Sequence, residues 1–141
     1  MEPVRTLAII KPDAVRAGNA GRILTMIEKS GLAVDAARMF RLTRELAGEF
    51  YAVHREKPFY GGLLDFMSSG PCVAMALSGE NAIARWRELM GATNPANAAE
   101  GTIRRLYGTS VQFNACHGSD APETARQEVA FFFSGAELPK N

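Results

Sequence analysis

Three observations predict an α+β fold. Short apolar β-forming runs occur at residues 4–10 and 72–77, segments between them carry apolar residues at helical spacing, and no repeat or linker interrupts the 141 residues. The resulting order, β-α-β-α-α-β-α-loop-α-β, fits a ferredoxin-like sandwich. That is a four-stranded antiparallel sheet of βαββαβ type covered by helices. A chain of this length buries a core without staples, so a single domain over residues 1–141 is expected.

Residues 4–10 read as the first strand, stopped by Lys11-Pro12-Asp13. Ala20, Ile23, Leu24 and Ile27 then make one apolar helix face, ended by Gly31. Residues 32–42 read as a second strand. Thr43 is placed to cap a short helix carrying Leu46, Phe50 and Tyr51. Residues 59–67 are helical by spacing and end at Gly70-Pro71. The run CVAMAL at 72–77 is a buried strand closed by Ser78-Gly79. Ile83, Trp86 and Met90 line another helix. A long irregular stretch, GATNPANAAEGT, follows, and a compact fold rarely keeps such a loop without a use for it. Asp120-x-x-Glu123 with Pro122 reads as a capping box opening a last helix, whose inward stripe is Ala121, Ala125, Val129 and Phe132. Residues 131–133 are expected to begin the final strand.

Hydrophobic residues at 47% and charged ones at 22% exclude a disordered or fibrous chain. A formal charge of +1 argues against general polyanion binding, so no nucleic acid is expected as partner and any phosphate site must be local. Two cysteines, Cys72 and Cys116, make no framework and no CxxC pair, which suits a reducing compartment. The apolar run at residues 7–10 is too short for a signal core or a membrane span, so a cytoplasmic protein with no membrane partner is expected.

Several routes to nucleotide chemistry are closed. There is no GxxxxGK[ST], no GxGxxG and no GxSxG. A phosphate would have to be held by cations that folding gathers: Lys11 at a strand end, Arg87 on a helix, Arg104 beyond the long loop. Each of these, taken alone, reads more readily as solvated charge, and Thr93 and Asn114 more readily as turn caps. Phe59 is either core or a stacking plate. His54, beside Arg55 and Glu56, reads as surface, and the two histidines and two cysteines show no zinc-ligand spacing. His117 stands apart, with Gly118, Ser119 and Asp120 after it at a helix start. A neutral imidazole there has a lone pair able to attack phosphorus, and Glu128 is a candidate to orient it; a structural histidine is the competing reading.

The segment Asn114–Asp120, NACHGSD, resembles the NxxHG(S/A)D signature of nucleoside diphosphate kinases. TLAIIKPDAV, FMSSGP, GATNPA, GTIR and SDAPETA occur in the same family order, so the resemblance runs from about Arg5 to Phe133. It implies ping-pong transfer of the γ-phosphate of a nucleoside triphosphate, mainly ATP, to a nucleoside diphosphate. His117 would be the nucleophile through Nδ1, supported by Glu128 and Ser119. Lys11, Arg87, Thr93 and Arg104 would bind phosphates, with Tyr51 near the transferred one. Phe59 would stack on the base beside Leu63 and Val111, and Asn114 with Lys11 would meet the sugar and phosphates. Asp120 would pair with Arg104 and help hold Mg²⁺ through water. Lys57, where the family more often has arginine, and Cys116 are departures at positions without an assigned role. The short C-terminal extension resembles the bacterial type, for which a homo-tetramer is favoured over a hexamer.

Two rival classes fit less well. An RNA-recognition module expects [KR]-G-[FY]-[GA]-F-V-x-[FY], which is missing. A phosphotransfer carrier would be a helical bundle without the Lys11, Arg87, Thr93 and Arg104 set.

Overall fold

Leu7, Ala8, Ile9 and Ile10 are all buried because β1 (Val4–Ile10) lies inside a sheet packed on both faces. Side chains alternate across a strand, so Leu7 and Ile9 join one core cluster while Ala8 and Ile10 join another. The computed structural model describes residues 4–138. The expected domain of 1–141 reaches three residues beyond them at each end.

After β1 come α1 (Pro12–Arg16), α2 (Ala20–Lys29), β2 (Ala33–Phe40) and α3 (Arg44–Phe50). A 3-10 turn at Ala52–His54 leads to α4 (Tyr60–Met67), β3 (Cys72–Gly79) and α5 (Ala82–Met90). A second 3-10 turn at Pro95–Asn97 precedes α6 (Ile103–Tyr107), β4 (Cys116–Gly118) and α7 (Pro122–Phe132), with a last 3-10 turn at Gly135–Glu137. The sheet is antiparallel throughout, in the order β2-β3-β1-β4. This is the ferredoxin-like arrangement expected from the sequence. One core joins β1 and β3 to Ala47 and Tyr51, to Leu64 and Met67 on α4, and to Val129 and Phe132 on α7. The other joins the opposite faces of the same strands to Ile23 and Ile27 on α2, Trp86 and Met90 on α5, and Ile103 on α6.

The last strand is not where the apolar run suggested. Residues 131 and 132 continue α7, because Ala125, Val129 and Phe132 share its buried face, and the backbone becomes extended only at Phe133. The fourth strand is the short CHG segment, with His117 opposite Ile9. The capping box at Asp120 does not form. Ala121 is the N-cap and makes no side-chain bond, while the Asp120 carboxylate turns to Arg87 at 2.7 Å. Thr43 does cap α3, accepting from the Leu46 N–H at 3.1 Å. The long stretch after α5 is partly regular: Asn94 caps the turn at Pro95–Asn97 and Thr102 caps α6.

Candidate active site

His117 sits on β4 with its ring on the α3 and α7 side of the sheet. Its Nε2 lies 3.0 Å from Glu128 Oε1, and the Ser119 hydroxyl donates to the same oxygen at 2.7 Å. Ser119 is itself fixed, since its Oγ accepts from the Leu7 N–H of β1 at 3.2 Å. Burial alone would raise the Glu128 carboxyl, but the bond and charge of His117 and the bond from Ser119 outweigh it and hold it below the usual range. An ionised carboxylate can only accept, so Nε2 carries the hydrogen and the neutral ring keeps its lone pair on Nδ1. Phe50 and Tyr51 pack edge-on against the imidazole, with centroids 5.4 and 6.1 Å away. The ring is held at one nitrogen and along its edges. The other nitrogen is free to react.

The segment leading into β4 is bent to reach this position. Ala115 has φ +74°, a left-handed conformation uncommon for a residue with a Cβ. It is held there by an Asp13 carboxylate that accepts from its N–H at 3.1 Å and by the Lys11 N–H bonded to its carbonyl at 2.8 Å. The KPD turn that ends β1 is therefore also the support beneath the histidine strand. Gly118 serves by close approach: a Cβ there would lie 2.6 Å from Trp86 and Met90 side-chain atoms.

His117 opens on a cavity of about 370 Å³ lined by Tyr51, Arg87, Thr93, Arg104, Asp120 and Glu128, all singled out in the sequence, and by Phe50, His54, Thr124 and Gln127. Arg104 is buried and donates to the Gly91 carbonyl at 3.0 Å and the Cys116 carbonyl at 2.9 Å, and burial lowers its pKa. The expected pair between Asp120 and Arg104 does not form; Asp120 holds Arg87 instead, both on the rim with half or more of each side chain exposed. Arg104 is turned inward by its two carbonyl bonds, which puts Arg87 nearer the exposed carboxylate. A larger cavity of about 870 Å³ shares Arg87 and Asp120 with this one but is lined by neither His117 nor Glu128.

Lys11 lies behind this cavity, buried, with Nζ donating to Asn114 Oδ1 at 2.9 Å; Asn114 in turn donates to the Thr93 carbonyl at 3.0 Å. Burial first, and the Arg104 charge second, lower Lys11 to about 8. Burial likewise raises Tyr51, whose hydroxyl has no partner among the described residues, so it stays a proton donor. Phe59 stands half-exposed at the start of α4, its ring 5.4 Å from His54. Leu63 packs one turn along against the core, and Val111 is exposed on a loop that leans on α4 through Phe113 against Phe66. His54 is a correction to the surface reading: it is half-buried, stacked on Tyr51, and joins Phe59 to the cavity. Its spacing from Tyr51, one turn on, was the signal available. Cys116 is fully buried, and burial pushes its thiol up to about 12, so it is unreactive there.

An anchored imidazole with one bare nitrogen, facing a cleft edged by guanidinium groups on an α+β sandwich, suits a phosphotransferase. Comparison with known proteins gives the family. The family model described as nucleoside diphosphate kinase matches residues 4–138. A nucleoside diphosphate kinase of Oleidesulfovibrio alaskensis is 59% identical over 134 residues, covering 95% of this chain and 96% of that one. The solved structure of the Aquifex aeolicus nucleoside diphosphate kinase superposes with a TM-score of 0.96 at 49% identity, covering 98% of this chain and all of that one. A halophilic nucleoside diphosphate kinase from Halobacterium salinarum, solved in complex with CDP, gives 0.94 at 42% identity over 99% of this chain and 93% of that one. The chain belongs to the nucleoside diphosphate kinase family.

Proposed function

We propose that His117 carries the phosphoryl group in this kinase's reaction, that the cleft beside it takes donor and acceptor nucleotides in turn, and that the reaction maintains NTP and dNTP pools. The Nδ1 lone pair attacks the γ-phosphorus of a nucleoside triphosphate, the bond from that phosphorus to the bridging oxygen breaks, and the diphosphate leaves with the electron pair. A terminal oxygen of a second nucleoside diphosphate then attacks the phosphohistidine, and the N–P pair returns to Nδ1. The observation that carries this reading is the Nε2 contact to an ionised Glu128, which leaves Nδ1 bare and offsets the positive charge that grows on the ring as the N–P bond forms.

The remaining residues divide the nucleotide between them. Arg87, Arg104, Thr93 and Lys11 bind phosphates, and Tyr51 donates to the transferred group. Phe59, with Leu63 and Val111, stacks on the base, a contact blind to base identity because every base has a π face. Asn114 and Lys11 meet the sugar end. The described residues include no cluster of three His, Cys, Asp or Glu side chains placed to cage an ion. This suits an ion held mainly by the nucleotide phosphates, with the exposed Asp120 carboxylate reaching it through water. When bound, the ion shields the charge on the β- and γ-phosphates.

The enzyme works as one domain over residues 1–141, in the cytoplasm and as a homo-oligomer, a tetramer ahead of a hexamer. In support of self-association, β2 ends the sheet with an outer edge unpaired among the described residues. No described helix is long and apolar enough to cross a membrane. The test is direct. Incubation with ATP and Mg²⁺ should give an acid-labile, base-stable phosphoprotein that any nucleoside diphosphate discharges, and His117→Ala should not label. Labelling that persists in the alanine variant overturns the assignment.

A further inference from the structure

β4 is three residues long and forms the outer edge of the sheet, so its ladder with β1 is a slight anchor for a nucleophile. The neighbouring contacts make up the difference, and one of them reaches the main chain of His117 itself. Trp86, the chain's sole tryptophan, is fully buried on the opposite side of the sheet, and its indole N–H donates to the His117 carbonyl at 3.1 Å. The same ring fills the space where a side chain on residue 118 would stand, with Cδ1 and Nε1 each 2.6 Å from a Cβ placed there. Glycine at 118 and tryptophan at 86 are thus two halves of one contact. An apolar side chain would fill this part of the core equally well; the indole adds a directional bond aimed at one carbonyl.

We infer that Trp86 is a positioning residue for the phosphoryl-transfer step, setting the height and tilt of the His117 main chain from behind while Glu128 sets the ring from in front. The inference deepens the reading of His117 as nucleophile and rests on it. The indole N–H donates to the His117 carbonyl and to no residue assigned to the nucleotide, so removing that N–H alone should slow the attack without weakening nucleotide binding. A purely structural role would lower stability and spare the ratio of the two.

The test replaces Trp86 in the full chain by β-(3-benzothienyl)alanine, a near-isostere in which sulfur takes the place of the N–H, alongside Trp86→Phe. Single-turnover phosphorylation by ATP and Mg²⁺ is timed, and ADP affinity is measured separately by calorimetry. The expected result is a fall of about fivefold in the phosphorylation rate of the isostere, the size of one lost hydrogen bond, with ADP affinity unchanged within about twofold. An unchanged rate in the isostere, or equal losses of rate and affinity, overturns the inference. Should Trp86→Phe fail to fold, the isostere still decides. The wild-type protein gives an independent reading: its single indole ¹H–¹⁵N resonance should shift when the enzyme is phosphorylated and freed of nucleotide, and an unmoved resonance also counts against the contact. A wild-type enzyme that never labels defeats the reading of His117, whereas normal labelling with an isostere equal to wild type defeats the role of Trp86 alone.

Discussion

Replacing Lys11 by methionine should make the empty protein more stable and a poor enzyme. Lys11 is 8% exposed, and burial with the nearby Arg104 charge brings it from 10.5 down to about 8. At about 1.4 kcal/mol per pH unit, that difference puts the cost of the buried ammonium at about 3 kcal/mol at neutral pH. Methionine has similar length and no charge, but it leaves Asn114 Oδ1 without its donor, a loss of about 1 kcal/mol. The net gain for Lys11→Met is about 2 kcal/mol, or roughly 7 °C in Tm at fixed protomer concentration. The pH dependence supplies the control. Below pH 8 lysine is protonated in both folded and unfolded chains. Between about 8 and 10.5 the unfolded chain holds the proton and the folded one does not, so the wild type gains stability as pH rises through that window. The methionine variant lacks this rise, and its advantage should fade by pH 10.5. Thermal unfolding at pH 7 and pH 10.5, with nucleotide affinity at pH 7, checks both halves. A variant no more stable than wild type at pH 7, or one whose advantage is the same at both pH values, would refute the reasoning.

The same group sets a pH profile for activity: kcat/KM of the wild type should decline above about pH 8 as Lys11 loses its charge in the free enzyme, and steady-state rates across pH 6–10 check it. Glu128→Gln removes the charge facing Nε2 and should slow His117 phosphorylation by about 10- to 100-fold in a single-turnover assay, the usual worth of a bond to a charged group. Phe59→Ala should raise KM for purine and pyrimidine nucleotides alike, by an amount on the order of 1–3 kcal/mol; a loss confined to purines would count against a stacking plate. Gly118→Ala forces a Cβ to within 2.6 Å of Trp86 and Met90 and should lower stability by about 1–3 kcal/mol in denaturant unfolding, with activity falling further as β4 shifts.

The fold was legible where burial on two faces left an unbroken apolar run, as in β1 and β3, and where a cap was local in sequence, as at Thr43. It was not legible where a strand is defined only by its partner. Nothing in CHG announces a strand; β4 exists because the free side of β1 accepts it, with Ser119 and Ala115 bonded to Leu7 and Lys11. Phe131 and Phe132 misled for the converse reason, since aromatic residues favour strands but Phe132 is fixed by the face it shares with Val129. At the site, motif residues could be named from their order in the chain, but the resemblance paired Asp120 with Arg104, and the folded chain pairs it with Arg87. That choice depends on which guanidinium is already engaged by backbone carbonyls, a fact about folded geometry. His54 was missed because its neighbours in sequence are charged, while its neighbours in space are Tyr51 and Phe59.

The cations of the cleft explain why such a site is costly to keep and effective when filled. Lys11 is lowered by burial and by Arg104; Arg104 is lowered by burial and, among its other neighbours, by Arg87. Arg104 is thus repelled from both sides, by Lys11 and by Arg87, while the carboxylates of the cavity are committed, Glu128 to His117 and Asp120 to Arg87. A folded chain that faced only its own stability would separate or neutralise these cations. On the proposed reading, a polyphosphate entering the cleft reverses the sign of these terms, because the two buried cations, Lys11 and Arg104, then gain an anionic partner in a setting already largely stripped of water. The donors are fixed before the substrate arrives, Arg104 by two carbonyls and Lys11 by Asn114, so little reorganisation remains for the transfer step. The cost of burying Lys11 and the proposed affinity for phosphate are therefore one quantity seen from two sides, and a substitution that relieves the first should weaken the second.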